Sequence, residues 1–476
     1  MKNKLHYFMM LFCISIFANA QLSPTTFSTK NLIANTGDQP YRMTSGDFNS
    51  DGHIDLIVTT YGDNTIELYS NDGTGSFSLH SSLTNTLDGI TNIKLAQINT
   101  STDSHIDIVA CSYNNDKVVW FANDAAGGGT FGTEQVLPFT VNGASGLAIG
   151  TIDAGATNDI AVSALDDNTI VWFSNDGTGT FTGPNTIDNT LTSPDAITLV
   201  NLNPGPGPGT DSDLDIIAAT GQFASTNVVE IFRNNGAGVF TKDASSVGTG
   251  LDWITQASPV DYDGDANLDI IVAAPDFVIG SGALFWFEDT GAGFTQTTIT
   301  TSLGNPAMAR MEDLDADGLK DLIVVNGAVD VPGDDLIWFK NNGSGSFGSE
   351  QVIDATQSQI YVFEVADFDN DTFLDIATSD YNLDQLNWFE NLTYFLSIDD
   401  EDKDAFGIYP NPSSDKLNFR STSSEDFNVS VFNMLGKKVM ESTNNVNSSL
   451  NISTLESGIY ILKLNDFNKA YKFIKQ

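Results

Sequence analysis

Cysteine and histidine are scarce in this sequence, which holds two cysteines and four histidines among 476 residues. Cys13 lies in an apolar stretch near the N-terminus, so Cys111 stands alone once that stretch is removed. One cysteine cannot form an intramolecular disulfide, and the apolar run around Cys111 predicts a small buried residue. The sequence contains no GxSxG, no HExxH and no Cys–His pair, so the common signatures of hydrolases and zinc enzymes are missing.

Basic residues are also few, because 20 Lys and Arg stand against 62 Asp and Glu, and the net charge is −42. Nine of the 20 fall between Lys403 and Lys475, which leaves the long region before them almost without positive charge. Such an acidic surface repels nucleic acid and anionic membranes and attracts divalent cations. We therefore expect no nucleic-acid partner. After the N-terminal stretch, no run is long and apolar enough to predict a transmembrane segment.

The N-terminus has the pattern of a secretory signal. Lys2 and Lys4 precede the apolar residues 5–17, and Ala18-Asn19-Ala20 follows. This predicts a signal peptide over residues 1–20, cleaved before Gln21, and therefore export. A membrane anchor is the alternative, but the apolar run is shorter than the roughly 20 residues that a spanning helix needs.

An acidic loop recurs along the chain. Residues 313–321 read DLDADGLKD, with acids at the first, third, fifth and ninth positions and Gly318 at the sixth. A helix–loop–helix calcium site would need a glutamate at position twelve, but Ile323 stands there in an apolar run that predicts a buried strand. The loop therefore joins two strands. Its closing acid recurs, each time before an apolar strand, at Asp55, Asp107, Asp159, Asp215, Asp269, Asp321 and Asp375.

A second motif keeps the same phase: an aromatic strand followed by a Gly-rich turn, as in VWFSNDGTGTF and IWFKNNGSGSF. Each repeat then has about four strands, which is typical of a β-propeller blade. Seven copies predict an all-β protein with a seven-bladed propeller over residues 21–394. The last copy lacks its GxGxF strand, and we expect Phe27–Ile33 to supply that outer strand and close the ring.

The DxDxDGxxD loop, the aromatic strand and the GxGxF turn together resemble the FG-GAP repeat, also called the VCBS-type repeat. The resemblance covers nearly all of residues 21–391. It implies a propeller of the kind found in the head of integrin α-subunits, with calcium in the loops between the first two strands of a blade.

Four copies of the loop are complete, and we predict about four structural Ca²⁺ sites there. Calcium is favoured over magnesium because carboxylate-rich loops of high coordination number suit the larger ion. The seventh residue of each loop would contribute its main-chain carbonyl, so the imidazole of His53 is expected to be solvated. The predicted ligands are Asp47, Asn49, Asp51, His53 and Asp55; Asp261, Asp263, Asp265, Asn267 and Asp269; Asp313, Asp315, Asp317, Leu319 and Asp321; and Asp367, Asp369, Asp371, Phe373 and Asp375.

The other three loops depart from this pattern. The second offers only Asn99, Asp103 and Asp107, and the third has Gly155 where an acid belongs. The fourth carries a PGPGPGT insertion, after which Asp211, Asp213 and Asp215 could still hold an ion. We expect metal to be possible in the second and fourth loops and absent from the third.

The composition changes at the C-terminus. A charged linker is predicted over residues 395–404, followed by a small β-sandwich over 405–476. This module resembles the type A C-terminal sorting domain of the type IX secretion system. The matching elements are Tyr409-Pro410-Asn411-Pro412, the turn at residues 432–436 and Ser457-Gly458-Ile459-Tyr460. The resemblance implies contact with the type IX secretion machinery and a secreted or outer-membrane-surface location.

Two functions remain open. The favoured hypothesis is a secreted or cell-surface, calcium-binding propeller that acts as a non-catalytic adhesion or binding module for a glycan or protein. The alternative is a secreted polysaccharide-degrading enzyme, a lyase or hydrolase, on the same scaffold. No catalytic residue can be assigned, because nearly all the patterned acids belong to the predicted metal loops.

Overall fold

The structure is a computed structural model that describes residues 25–83, 85–123, 128–202, 212–221, 227–251, 254–263, 265, 267–275, 282–291, 293–300, 303, 305–327, 334–343, 346–393, 406–421, 427–433, 437–444, 449–464 and 469–476. The predicted signal peptide and linker lie outside these residues. Every regular element described is a β-strand, which confirms the all-β class. No helix of the described part has the length and apolar character needed to cross a membrane. Pro24–Thr393 forms one compact unit, and the C-terminal strands belong to a second.

The first unit begins with a strand that joins the last sheet, and four sheets follow it in chain order. The strands are β1 (Asn31–Asn35); β2 (Pro40–Gly46), β3 (Asp55–Thr60), β4 (Ile66–Asn71) and β5 (Phe77–Leu83); β6 (Ile90–Ala96), β7 (Asp107–Ser112), β8 (Lys117–Phe121) and β9 (Gln135–Val136); β10 (Ala144–Gly150), β11 (Asp159–Ala164), β12 (Thr169–Asn175) and β13 (Phe181–Asp188); and β14 (Pro194–Val200), β15 (Asp215–Thr220), β16 (Asn227–Asn234), β17 (Phe240–Lys242) and β18 (Gly248–Leu251).

Three more sheets complete the unit. Their strands are β19 (Gln256–Val260), β20 (Asp269–Ala274), β21 (Ala283–Asp289) and β22 (Phe294–Thr300); β23 (Pro306–Glu312), β24 (Asp321–Asn326), β25 (Asp334–Phe339) and β26 (Gln351–Gln357); and β27 (Ile360–Ala366), β28 (Asp375–Asp380) and β29 (Gln385–Phe389) with β1. The described residues of this unit thus form seven antiparallel sheets, which we call blades 1 to 7. β1 pairs with β29, so the N-terminal strand is the outer strand of blade 7.

The hydrophobic core lies between neighbouring blades. Each buried cluster of this unit takes its residues from two consecutive blades, and one cluster joins blade 7 to blade 1 through Met43, Leu56 and Trp388. The second strand of a blade is covered on both faces, so β3, β7 and β11 are buried at every residue. This double burial explains why these strands are continuous apolar runs rather than alternating ones.

The recurring tryptophans and GxG turns pack against each other across blade junctions. A Cβ atom on Gly75, Gly179 or Gly238 would lie 2.2 Å from the ring of Trp388, Trp120 or Trp172 respectively, in the preceding blade. All three glycines also have positive φ angles between 71° and 82°. Only glycine meets both demands without strain. These tryptophans of the aromatic strands therefore serve packing between blades.

The C-terminal unit is a two-sheet sandwich. Its strands are β30 (Phe406–Tyr409), β31 (Lys416–Ser421), β32 (Phe427–Asn433), β33 (Lys438–Asn444), β34 (Ser449–Asn451), β35 (Gly458–Leu464) and β36 (Lys469–Lys475). One sheet has the order β30-β31-β34 and the other β33-β32-β35-β36. A single buried cluster that includes Leu417, Val429 and Phe473 lies between them.

Candidate metal centres

The predicted metal loops join the first and second strands of blades 1, 5, 6 and 7, all at the same edge of the ring. In blade 1 this loop spans residues 47–55. The side chains of Asp47 and Asn49 both accept the N–H of Asp51, at 3.1 and 2.9 Å. Asp51 in turn accepts the N–H of His53 at 2.9 Å. The acids and amide of the motif therefore fold the loop by bonding its own backbone.

The backbone geometry at the sixth position of the loop explains why the motif has a glycine there. The first acid of the loop accepts the N–H of the sixth residue at 2.9 Å in blades 1, 6 and 7. This geometry needs a positive φ angle, which is 92° at Gly52, 90° at Gly318 and 81° at Thr372. Glycine adopts such angles freely, whereas a β-branched residue is strained there. The loop of blade 7 keeps the same turn in spite of that cost.

The structure gathers the acids of three loops. In each group, one oxygen from every acid lies within 4.8 Å of the others: Asp261, Asp263 and Asp265; Asp313, Asp315 and Asp321; and Asp367, Asp369 and Asp371. The seventh residue of each loop donates its N–H to the acid at the fifth position, at 2.8–2.9 Å. These seventh residues are His53, Asn267, Leu319 and Phe373. The loop of blade 1 has the same internal bonds, with Asn49 in place of one acid.

The closing acid bridges two strands in every blade. Asp55 is fully buried, and its two oxygens accept the N–H groups of Phe48 at 3.2 Å and Asn71 at 2.9 Å. Equivalent pairs of bonds reach Asp107, Asp159, Asp215, Asp269, Asp321 and Asp375. Asp159 does this in the loop that lacks the motif. The closing acid therefore has a structural role that needs no metal.

Burial makes these acids resist ionisation. It raises the pKa of Asp55 to about 7, that of Asp321 to about 7 and that of Asp375 to about 8. The main-chain N–H bonds lower these pKa values without outweighing burial, and the neighbouring loop acids raise them further. A bound cation favours the ionised form of a nearby carboxyl group. A divalent ion in these loops would therefore favour the ionised form of the closing acids.

An asparagine at the end of the third strand links neighbouring blades, and the sequence analysis missed it. Asn175 donates its side-chain N–H to the carbonyl of Asn158 in blade 3 at 2.9 Å and to that of Ile98 in blade 2 at 2.8 Å. The N–H of Ile98 is itself held by Asp107 at 2.8 Å. The same cross-blade bond is made by Asn71, Asn123, Asn234 and Asn391.

Blade 5 departs from this arrangement. Asp289 stands at the asparagine position, and a carboxylate cannot donate the cross-blade bond. In blade 6, Asn341 bonds the carbonyl of Lys320 in its own blade at 3.0 Å, and no bond to blade 5 is described for its amide. Within the described residues, blade 5 therefore lacks this amide bond at its junctions with both blade 4 and blade 6.

Lys340 enters the metal loop of blade 6. Its ammonium group contacts the carboxylates of Asp315 and Asp317, the second at 2.6 Å. Burial raises the pKa of Asp317, but the bond and charge of Lys340 outweigh it, so this pKa is lowered overall. The loop with the most complete motif therefore contains a positive charge of its own. The motif alone gave no sign of this, because two strands, β24 and β25, separate Lys340 from the loop.

The residue at the position of Lys340 varies among blades. Arg233 of blade 4 pairs with Asp215 at 3.2 Å and with Asp243 at 3.3 Å. Blades 5 and 7 instead have Glu288 and Glu390 at this position. Blades 4 and 6 thus bring a basic side chain to the loop, whereas blades 5 and 7 bring another acid.

The incomplete loops are filled by protein hydrogen bonds. In blade 2 the amide of Asn99 donates to Asp103 at 2.9 Å. In blade 3 Asp153 accepts the hydroxyl of Ser174 at 3.0 Å and the N–H of Gly155 at 2.7 Å. Asp211 of blade 4 lies outside the described residues.

The side chain of His53 takes part in a cross-blade contact. Its Nδ1 atom lies 2.9 Å from the amide nitrogen of Asn370 in blade 7, and the same amide donates to the carbonyl of Gly73 at 2.9 Å. The imidazole, which we expected to be solvated, therefore makes this contact at an exposed position. The ring joins two metal loops of neighbouring blades.

The donor sets of blades 1, 5 and 7 fit calcium, since they consist of oxygen atoms on short, flexible loops. Blade 6 fits less well because Lys340 occupies part of the acid group. One observation still favours a cation there: Oδ1 of Asp315 is buried and accepts no hydrogen bond from the described residues. Such an atom is costly unless an ion or water satisfies it.

Family models match two kinds of segment. FG-GAP-like repeats match residues 47–100, 210–272 and 313–378, and a secretion system C-terminal sorting domain matches residues 407–476. The propeller therefore contains FG-GAP-like repeats. The chain ends in a type IX C-terminal sorting domain, which indicates export to the cell surface or the extracellular space. No curated protein matches this chain in sequence.

One of two similar solved structures, BBS1N, agrees with the fold. BBS1N, crystallised in complex with ARL6DN and soaked with lead, has a TM-score of 0.52 at 12% identity, over 77% of this chain and 96% of that one. The Dos1 propeller has a TM-score of 0.45 at 10% identity, over 77% of this chain and 95% of that one. At such identities the likeness concerns the fold alone.

Proposed function

We propose that this protein is an exported, calcium-stabilised propeller that binds a glycan or a protein and carries out no catalysis itself. The acid loops are the observation that supports the calcium part. They gather three groups of carboxylates at one edge of the ring, and burial raises the pKa of closing acids beside them. A divalent ion would offset the repulsion between the grouped carboxylates and would tie the first two strands of a blade together.

A binding role is favoured over catalysis because the closing acids and the histidines of the described propeller have structural contacts. The closing acids accept main-chain bonds, and the three histidines lie apart. His53 contacts Asn370, His105 lies 3.6 Å from Asp103, and the ring of His80 packs 5.4 Å from that of Phe48. No two of them combine into an acid–base pair within the described residues.

The alternative, a secreted polysaccharide lyase or hydrolase, has one candidate group. Arg310 on the innermost strand of blade 6 pairs with Glu312 at 2.8 Å and with Glu364 at 3.2 Å. A guanidinium beside two carboxylates could act on a charged sugar. The two ion pairs equally suit a structural role between blades 6 and 7, so we rank this function second.

Chelation tests the calcium part. We expect EDTA to lower the melting temperature of the full chain and added CaCl₂ to restore it, since the ion binds the folded loops and not the open chain. One site at a hundred times its Kd contributes about 2.7 kcal/mol. Magnesium at equal concentration should restore less. An unchanged melting temperature after exhaustive chelation would contradict structural calcium.

Incubation with polysaccharides tests the absence of catalysis. We expect the purified protein to release no new reducing ends and no unsaturated products from neutral or anionic glycans. Glu364→Gln serves as the matched variant. Turnover by the wild type that is lost in Glu364→Gln would replace the binding function with the enzymatic one.

A further inference from the structure

Tyrosines are concentrated at the edge of the ring opposite the metal loops. Tyr41 and Tyr361 are the second residues of the innermost strands of blades 1 and 7, while Tyr61, Tyr113 and Tyr381 directly follow the second strands of blades 1, 2 and 7. A strand of six residues separates this edge from the metal loops by about 20 Å. We call these five residues the tyrosine face.

Four of these rings form a continuous group across the junction of blades 7 and 1. The centroid of Tyr41 lies 4.9 Å from that of Tyr361 and 5.5 Å from that of Tyr61. Tyr361 and Tyr381 are 4.7 Å apart. Most of these pairs are tilted or edge-on, which is the preferred geometry of aromatic rings and fixes their orientation. The group is therefore a preorganised surface.

The fold itself does not require this surface. The residues that follow the second strand in blades 3 to 6 are Leu165, Gly221, Pro275 and Gly327. The core between blades 7 and 1 is supplied by other side chains. Tyr61 is 39% exposed, whereas Tyr69 in the core of the same blade is 2% exposed. The ring of Tyr61 is thus available to a ligand.

Polar groups surround the rings. Gln359 donates to the hydroxyl of Tyr361 at 3.1 Å, and the hydroxyl of Tyr113 donates to Asp166 at 3.0 Å. The guanidinium of Arg42 lies 4.1 Å from the centroid of the Tyr41 ring. Its Nε atom donates to the carbonyl of Thr91 at 2.9 Å. The face thus combines apolar ring surface with amide, carboxylate and guanidinium groups.

We propose that the tyrosine face binds a neutral oligosaccharide, with Tyr61 as a stacking residue. A sugar presents apolar C–H faces to aromatic rings and hydroxyl groups to carboxylates and amides. The net charge of the chain, −42, disfavours polyanions. Rigid, amphipathic tyrosine gives contact area at a low entropy cost. This inference rests on the proposed binding function and names the ligand class that it leaves open.

Titration of the full chain tests the proposal. The probes are neutral oligosaccharides of glucose, xylose and mannose, with polygalacturonate and alginate as anionic comparisons. We expect Tyr61→Ala to weaken binding of the best neutral probe by about tenfold, as for an aromatic anchor. Tyr61→Phe should retain binding, because it keeps the ring. Leu79→Ala removes a side chain that is 56% exposed on the outer strand of the same blade, and should have no effect.

Nitration of the wild type tests the same surface without a substitution that could unfold it. The bound oligosaccharide should protect Tyr61 from tetranitromethane and leave Tyr409, which is 53% exposed in the C-terminal unit, fully reactive. A wild type that binds only anionic polymers or a protein overturns the inference while the binding function stands. So does a neutral probe whose affinity and protection pattern are independent of Tyr61. Cleavage of the probe would instead overturn the proposed function.

Discussion

Lys340 changes what a complete metal motif means. Residues 313–321 contain every acid and the glycine that a calcium loop needs, yet the ammonium of Lys340 lies against two of those acids. An internal cation competes with calcium, because both are held by the same carboxylates. We expect the loop of blade 6 to have a lower calcium affinity than those of blades 5 and 7.

Replacing Lys340 should therefore have opposite effects with and without calcium. In EDTA, Lys340→Gln should lower the melting temperature, since the acids of the loop lose their counter-ion. With excess calcium it should melt at or above the wild-type temperature, and calorimetric titration should detect tighter binding at one site.

Lys320→Gln is the matched control for this prediction. Lys320 belongs to the same blade and lies 3.8 Å from Glu312, outside the acid group. Its replacement should leave calcium binding unchanged. If Lys340→Gln titrates like the wild type, Lys340 does not compete with the ion.

At the scale of the strand, the third strand ends on the asparagine that joins one blade to the next. Asn175 makes a buried side-chain bond of 2.8 Å to a carbonyl of blade 2 and a partly buried one of 2.9 Å to a carbonyl of blade 3. We expect Asn175→Ala to lower the free energy of unfolding by about 2 kcal/mol, because it leaves buried carbonyl groups unsatisfied. Urea denaturation of the full chain measures this change.

Asn185→Ala provides the comparison for Asn175. Asn185 is exposed on β13, the outer strand of the same blade. Its truncation should change the unfolding free energy by less than about 0.5 kcal/mol. Equal effects of the two substitutions would show that the cross-blade bond contributes nothing.

The sequence predicted the elements that repeat along the chain, and it missed the contacts between repeats. The closing acids and the apolar second strands were found because their spacing is regular and their burial pattern is local. The asparagine could have been found in the same way, since it follows the closing acid by 16 residues in four blades (71 − 55, 123 − 107, 175 − 159 and 391 − 375). In the sequence pattern, however, the asparagine is part of the segment that joins the aromatic strand to the Gly-rich turn.

Other contacts had no signal in the sequence. Lys340 meets Asp315 only because a strand folds back along its neighbour. Tyr41 meets Tyr361 only because the ends of the propeller close on each other. These pairs depend on the register between strands and on ring closure, neither of which can be read from residue spacing.

For the whole molecule, the ring depends on its N-terminal strand. β1 pairs with β29, and Phe27 forms a bridge to Asn391. Deleting Phe27–Ile33 would remove the first three residues of β1 and expose the part of β29 that pairs with them. We expect the melting temperature to fall by about 5 °C or more and trypsin cleavage to accelerate. Leu32→Ser, which changes a side chain that is 53% exposed in β1, should retain wild-type melting.

Blade 5 gives the ring one segment that is secured differently from the others. Because Asp289 replaces the linking asparagine, this blade depends on its apolar contacts and on two bonds to β23 of blade 6, from Thr255 to Ala307 and from Ala309 to Gln256. It would also depend on the ion that Asp261, Asp263 and Asp265 would hold. Removal of calcium should therefore cause local unfolding of the ring at blade 5. In EDTA, deuterium exchange should increase first in β19–β21. Uniform exchange around the ring would contradict this. Calcium bound outside the cell would then be the last contribution to the stability of the propeller, and it would be added only after export.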